Sequence, residues 1–111
     1  MEFTVDELGQ GTAVVRGAGR LNMVSAGQLR ELVASTVAGG SPRIVVDLSA
    51  VDFIDSSGLG ALVNGLKTAR QAGGDLRISA PNDQVKLVLQ LTNMERVLSS
   101  YPTAESAYAN D

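Results

Sequence analysis

The chain has 111 residues, with 9 Lys and Arg against 12 Asp and Glu and a formal net charge of −3 at pH 7; that length predicts one domain, residues 1–111, with enough core to fold unaided. It contains neither cysteine nor histidine, which excludes disulfides, thiolate chemistry, Cys- or His-ligated metal centres and Ser-His-Asp hydrolysis. The acidic balance and the scattering of Phe3, Phe53, Tyr101 and Tyr108 oppose a nucleic-acid or anionic-membrane surface.

Phe3, Val5 and Leu8 predict a first strand, broken at Gly9-Gln10-Gly11, and Thr12–Arg16 predicts a second that pairs with it as a hairpin. Gly17-Ala18-Gly19 reads as a glycine-rich exit from an edge strand. A dinucleotide fingerprint fails here, because Asn22 stands where its third glycine is required. Ser25 at the N-cap and Gln28 three residues on predict a capping box. The helix it opens carries Ala26, Leu29, Val33 and Val37 with Leu32 beside them, and Gly39-Gly40 and Pro42 stop it.

Arg43–Leu48 is a β-branched run suited to a central strand covered on both faces, and Ser49–Ile54 reads as its link to Asp55-Ser56-Ser57-Gly58. Leu59, Leu62, Val63, Leu66 and Ala69 mark a second amphipathic helix that ends at Gly73-Gly74. Leu76, Ile78 and Ala80 alternate with Arg77 and Ser79, the pattern of a strand with one polar side. Pro81-Asn82-Asp83 starts a third helix carrying Val85, Val88, Leu89 and Leu91. Val97-Leu98 predicts a short last strand, and Thr103–Ala107 a terminal helical turn or two. Met94 reads as core, and Met23 as a gap-filling or interface residue.

This order predicts an α/β fold with a mixed sheet of four to five strands, an opening hairpin followed by parallel strands, and about four helices. The start, Met1–Leu8, has neither the basic nor the apolar region of a signal peptide. No apolar stretch reaches the roughly 18 residues of a membrane span. The expected location is the cytoplasm, with no membrane and no nucleic acid as partner.

The segment Asp55-Ser56-Ser57-Gly58-Leu59-Gly60 joins a buried strand to a helix start, on the edge of an α/β sheet where functional loops gather. Read structurally, Asp55 or Ser56 is an N-cap and the glycines permit close helix–sheet packing. With Ser56 at the cap, its hydroxyl is used on a backbone N–H, and Ser57 at the first helical position faces outward. A phosphate on Ser57 gains roughly 0.3–1 kcal/mol from the helix dipole. It adds about −1.5 to −2 charges beside Asp55 and Asp52. At ~6 Å and an effective dielectric of ~20, each unit of like charge costs roughly 3 kcal/mol before screening. Solvent absorbs much of that cost in the free domain but not beneath a docked partner. One phosphate therefore switches binding by about one to two orders of magnitude or more.

With these residues in view, the chain resembles the STAS family, and within it the small single-domain bacterial anti-sigma-factor antagonists. The resemblance rests on Ile44-Val45-Val46-Asp47-Leu48, Val51-Asp52-Phe53-Ile54, the motif Asp55–Gly60, and Gly19-Arg20-Leu21-Asn22 followed by Ala26 and Leu29. It covers nearly the whole chain. It implies a switch in transcription regulation rather than an enzyme: Ser57 is phosphorylated by the partner anti-sigma factor, an ATP-dependent serine kinase. The unphosphorylated form binds that kinase and frees its sigma factor, and a separate phosphoserine phosphatase restores it. Ser56 is the secondary candidate for modification. The implied partner surface comprises Asn22, Asp55, Ser56, Ser57, Gly58, Leu59, Gly60, Val63, Asn64 and Lys67 on a monomer or weak dimer, with no cofactor and no metal. One position departs from the family pattern. Asn22 stands where an acidic residue is common, keeping hydrogen bonding while losing a charge that would repel a phosphate on Ser57.

Three other readings compete. An enzyme with Ser56 or Ser57 as nucleophile needs a base, and only Lys67 and Lys86 are available, on predicted outer helix faces. A phospho-receiver with Asp55 as acceptor needs an acidic pair after the first strand, where Gly9-Gln10-Gly11 stands. A non-switching interaction subunit of a scaffold or lipid-transport ATPase complex is the serious alternative, and the intact Asp-Ser-Ser-Gly favours the switch over it.

Overall fold

Glu2–Gly9 (β1) and Thr12–Leu21 (β2) form the expected antiparallel hairpin. Gly9, Gln10 and Gly11 all take positive φ at its turn, a conformation that glycine adopts without steric cost. The computed structural model describes residues 1–109; Asn110 and Asp111, the last two of the expected domain, lie outside the described residues. After the hairpin come helix Met23–Ala38 (α1), strand Arg43–Ile54 (β3), helix Ser56–Gln71 (α2), strand Asp75–Ser79 (β4) and helix Asp83–Leu91 (α3). A 3-10 turn at Met94–Arg96 then leads to the short strand Ser100–Tyr101 (β5).

The five strands lie in sequence order, with β1–β2 antiparallel and every later pair parallel. Crossovers of one hand between neighbouring parallel strands place their helices on one face of the sheet. The core records this: Ala13, Val15, Ile44, Val46, Leu76 and Ile78 pack with Leu29, Val33, Leu62, Leu66, Val85 and Leu89. The alternate residues Val14 and Val45 point to the other face. There the C-terminal segment covers them with Ala104, Ala107, Tyr101 and Tyr108. Central β3 is thus buried on both sides at its middle, as its β-branched run requires.

Several boundaries differ from the expectation, each for a physical reason. Gly17-Ala18-Gly19 is no exit: β2 runs on to Leu21, held between β1 and β3 rather than at an edge. The stretch Ser49–Ile54 continues β3 rather than linking it, still paired with β2 through Leu21 and Ile54. Ala80 leaves β4 with φ 52°, and Ser79, fully buried, donates to Asp47 Oδ1 at 3.2 Å. Leu91 is 73% exposed instead of core, because it falls four residues after exposed Leu87 on the outer face of α3, while Val85 and Leu89 take the inner one. The last strand falls at Ser100–Tyr101 rather than Val97-Leu98, and Thr103–Ala107 forms consecutive turns without regular helix. Three α-helices and one 3-10 turn therefore accompany the sheet in the described residues. Met94 packs against the core as expected, whereas Met23 is 77% exposed.

Candidate functional site

Parallel pairing sets the geometry of the site. Leu21 and Ile54 are register partners at the ends of β2 and β3, so the next residues, Asn22 and Asp55, stand side by side at one edge of the sheet. Each is the N-cap of the helix that follows. Two helix N-termini, each carrying partial positive charge, thus open at the same edge. The backbone N–H of Asp55 donates to Leu21 O at 3.3 Å and ties the two turns together.

At the first turn of α1, Asn22 Oδ1 accepts from the N–H groups of Val24 (3.0 Å) and Ser25 (3.4 Å). Ser25 Oγ accepts from the N–H of Asn22 at 3.0 Å and donates to Arg20 O at 2.8 Å. The capping box therefore sits three residues earlier than the sequence suggested: Asn22 is the cap, and Ser25 occupies the reciprocating third position. Ser25 is 4% exposed.

At the first turn of α2, Asp55 takes the cap, its Oδ1 accepting from Gly58 N–H at 2.9 Å. This corrects the arrangement with Ser56 at the cap. Ser56 is instead the first and Ser57 the second residue of the helix, so neither serine is needed to cap it. Ser56 is exposed and Ser57 half-buried. Among the described residues neither hydroxyl makes a hydrogen bond. The two glycines of the motif divide between fold and surface. A Cβ on Gly58 would lie 2.2 Å from Leu21 O, so the close approach of α2 to the end of β2 demands glycine there. A Cβ on Gly60 would meet nothing within 4 Å. Packing does not explain Gly60, although a glycine inside a helix costs roughly 0.5–1 kcal/mol relative to alanine.

The remaining residues expected at the partner surface separate in the same way. Gly60, Asn64 and Lys67 are exposed along α2 and Val63 is half-buried, whereas Gly58 and Leu59 are buried and serve the fold. Asp52 is exposed near the C-terminal end of β3, three residues before Asp55. Lys67 and Lys86 both point outward, as expected. Sequence reasoning missed the support from α3. Gln84 Nε2 donates to Ile54 O and its Oε1 accepts from Ile54 N–H, both at 2.9 Å. Asn82 Nδ2 donates to Val51 O at 3.3 Å and Asp52 O at 3.2 Å, while its Oδ1 caps α3. No sequence signal marked Gln84, since a glutamine early in a helix has no distinctive partner until the fold supplies one. Arg20 was noted only as part of a motif; its guanidinium lies over the Phe53 ring, 4.4 Å from the centroid. Among the described residues no group of three or more acidic side chains is placed to hold a metal ion.

Comparison with known proteins agrees with this architecture. The model of the STAS domain matches residues 5–107. A Thermotoga maritima protein named as an anti-sigma factor antagonist is 41% identical over 68 residues, which are 61% of this chain and 60% of that protein. The sequence match thus spans less than two thirds of that relative's length. The crystal structure of a Thermotoga maritima protein of the same description superposes with a TM-score of 0.86 at 30% identity, covering 96% of this chain and 92% of the other. Unphosphorylated SpoIIAA, an anti-sigma factor antagonist, shares the fold with a TM-score of 0.81 at 22% identity over 96% of this chain and 92% of its own. No helix of the described residues is long and apolar enough to cross a membrane. Helices Asx-capped at the ends of parallel strands, the Asp55–Gly60 turn and the matched family model together make this chain a member of the STAS domain family.

Proposed function

We propose that the chain is an anti-sigma-factor antagonist that binds its anti-sigma factor through the adjoining tips of α1 and α2, and that phosphorylation of Ser57 by that same ATP-dependent kinase releases it. In this reading the unphosphorylated protein frees a sigma factor, a phosphoserine phosphatase resets the switch, and the domain contributes no catalytic group of its own. The cytoplasm is where such partners meet.

The observation that carries the reading is the division of labour at the tip of α2. Asp55 takes over the cap, which leaves the Ser57 hydroxyl free of structural duty and half-accessible at a positive helix end. A phosphate there is favoured by the helix amides yet opposed by the Asp55 carboxylate. A partner pressed onto the same spot removes the water that screens that repulsion. Asn22 contributes by what it lacks. Its carboxamide caps α1 without placing a second negative charge beside the phosphate. Asn22→Asp keeps the cap, since Asp and Asn serve it about equally, and is expected to slow phosphorylation of Ser57 or deepen its effect.

Incubation with the cognate kinase and ATP should add one phosphate, about 80 Da, to the intact protein and none to Ser57→Ala. Ser57→Ala should bind the kinase constitutively, and Ser57→Asp more weakly, one carboxylate being a partial copy of a dianion. Equal affinity of both variants and the native chain defeats the switch. Phosphorylation without any change in affinity points instead to a non-switching interaction subunit.

A further inference from the structure

Beyond the serine tip, α2 carries a second feature. Its C-terminal half and Val97 border an open groove of about 450 Å3, lined by Val63, Leu66, Lys67, Arg70, Gln71 and Val97. The floor is apolar: Leu66 is buried, and Val63 and Val97 are half-buried and pack on the main core. The rim is cationic. Lys67 and Arg70 are the only charged residues of α2, which has no acid from Ser56 to Gln71 in a chain whose net charge is −3. Lys67 forms no ion pair among the described residues. Arg70 touches Asp75 at 3.4 Å, yet its side chain stays 60% exposed. The neighbouring cavity beneath α3 differs, setting Lys86 against Glu95.

We propose that this groove docks an acidic amphipathic helix of a protein partner, apolar side chains against Val63, Leu66 and Val97 and carboxylates against Lys67 and Arg70. The inference rests on the reading of this chain as a binding module but not on its switch. A volume of this size holds a few side chains, and apolar anchors flanked by charge are how a helix seats in a groove. Cations on the rim select an acidic segment and make its binding salt-sensitive. The groove also stands apart from Ser57. From Ser57 to Lys67 is about 15 Å along the helix axis, and Ser57 and Val63 project about 120° apart around it. At physiological salt the charge of a phosphate on Ser57 is largely screened at that range. The groove therefore holds its ligand whether or not Ser57 is modified.

The test uses the full chain and two synthetic amphipathic helical peptides with one leucine pattern, one flanked by Glu and the other by Lys. Fluorescence anisotropy should show the Glu peptide binding about tenfold more tightly at low salt, with the gap closing as salt rises. Lys67→Glu should abolish the preference, and Lys67→Glu with Arg70→Glu should reverse it. Amide shifts in NMR should map the Glu peptide to Val63, Leu66 and Val97. Ser57→Asp should leave its affinity within about twofold, which keeps this outcome separate from the fate of the switch. Equal binding of the two peptides, no binding, or shifts centred on Leu87 and Leu91 overturns the proposal. So does a loss of binding in Ser57→Asp. Preferential binding of phosphatidylglycerol vesicles through Lys67 and Arg70 overturns it in favour of a lipid surface.

Discussion

The tips of α1 and α2 are built on one plan and use their serines in opposite ways. Both follow a strand of the same parallel pair, both are capped by an Asx residue, and the caps are neighbours. At α1 the nearby hydroxyl, Ser25, is buried and committed to Arg20 O and Asn22 N–H. At α2 the hydroxyls of Ser56 and Ser57 are committed to nothing among the described residues. A free hydroxyl at a helix start is thus distinguished from a committed one by which residue takes the cap. The motif letters alone do not separate them.

That contrast is open to attack in order of expected size. Gly58→Ala forces a methyl against Leu21 O and should cost about 3 kcal/mol, the range of severe overpacking. In a thermal melt this appears as a drop of roughly 10 °C, or as failure to fold. Ser25→Ala removes the donor to Arg20 O and the acceptor of the Asn22 N–H at the tip of α1 and should cost about 1–2 kcal/mol by urea denaturation. Gly60→Ala works the other way, stabilising by roughly 0.5–1 kcal/mol because its Cβ enters open space. If Gly60 is kept for a partner's close approach, the same variant binds the anti-sigma factor less well. Ser57→Ala should be the smallest, within about 0.5 kcal/mol of the native chain in stability. A loss as large as that of Ser25→Ala would show that the two tips are alike after all.

The fold class and the hairpin followed by parallel strands were legible because periodicity and β-branched runs report burial directly, and β3 with its Arg43–Leu48 run is the plainest example. What stayed hidden were contacts decided by other parts of the chain. Gly17 and Gly19 looked like a break, yet they are irregularities inside a continuing strand: Gly17 pairs with β1 and Gly19 with β3, the register to β3 shifts beside each, and Gly19 has φ 112°. Ser25 reads as the cap of the first helix from its spacing to Gln28, but β2 ends at Leu21 and puts the cap at Asn22, with Ser25 as the reciprocating third residue. Between Asp55 and Ser56, which the sequence leaves open, the end of β3 at Ile54 decides for Asp55. The candidate site was legible as a motif. Its supports from α3, Asn82 and Gln84, were not, because their partners lie about 30 residues away in the chain.

Those two side chains have a further consequence. β4 pairs with β3 only as far as Asp47 and Ser79, while β3 continues to Ile54. The overrunning half of β3 would present a bare edge, the kind that recruits strands from other molecules into aggregates. Asn82 and Gln84 occupy Val51 O, Asp52 O and both backbone groups of Ile54, acting as a side-chain substitute for the missing strand. The sheet can thereby carry one long finger out to the Ser56-Ser57 tip with its free edge already occupied, leaving it a poor template for another strand.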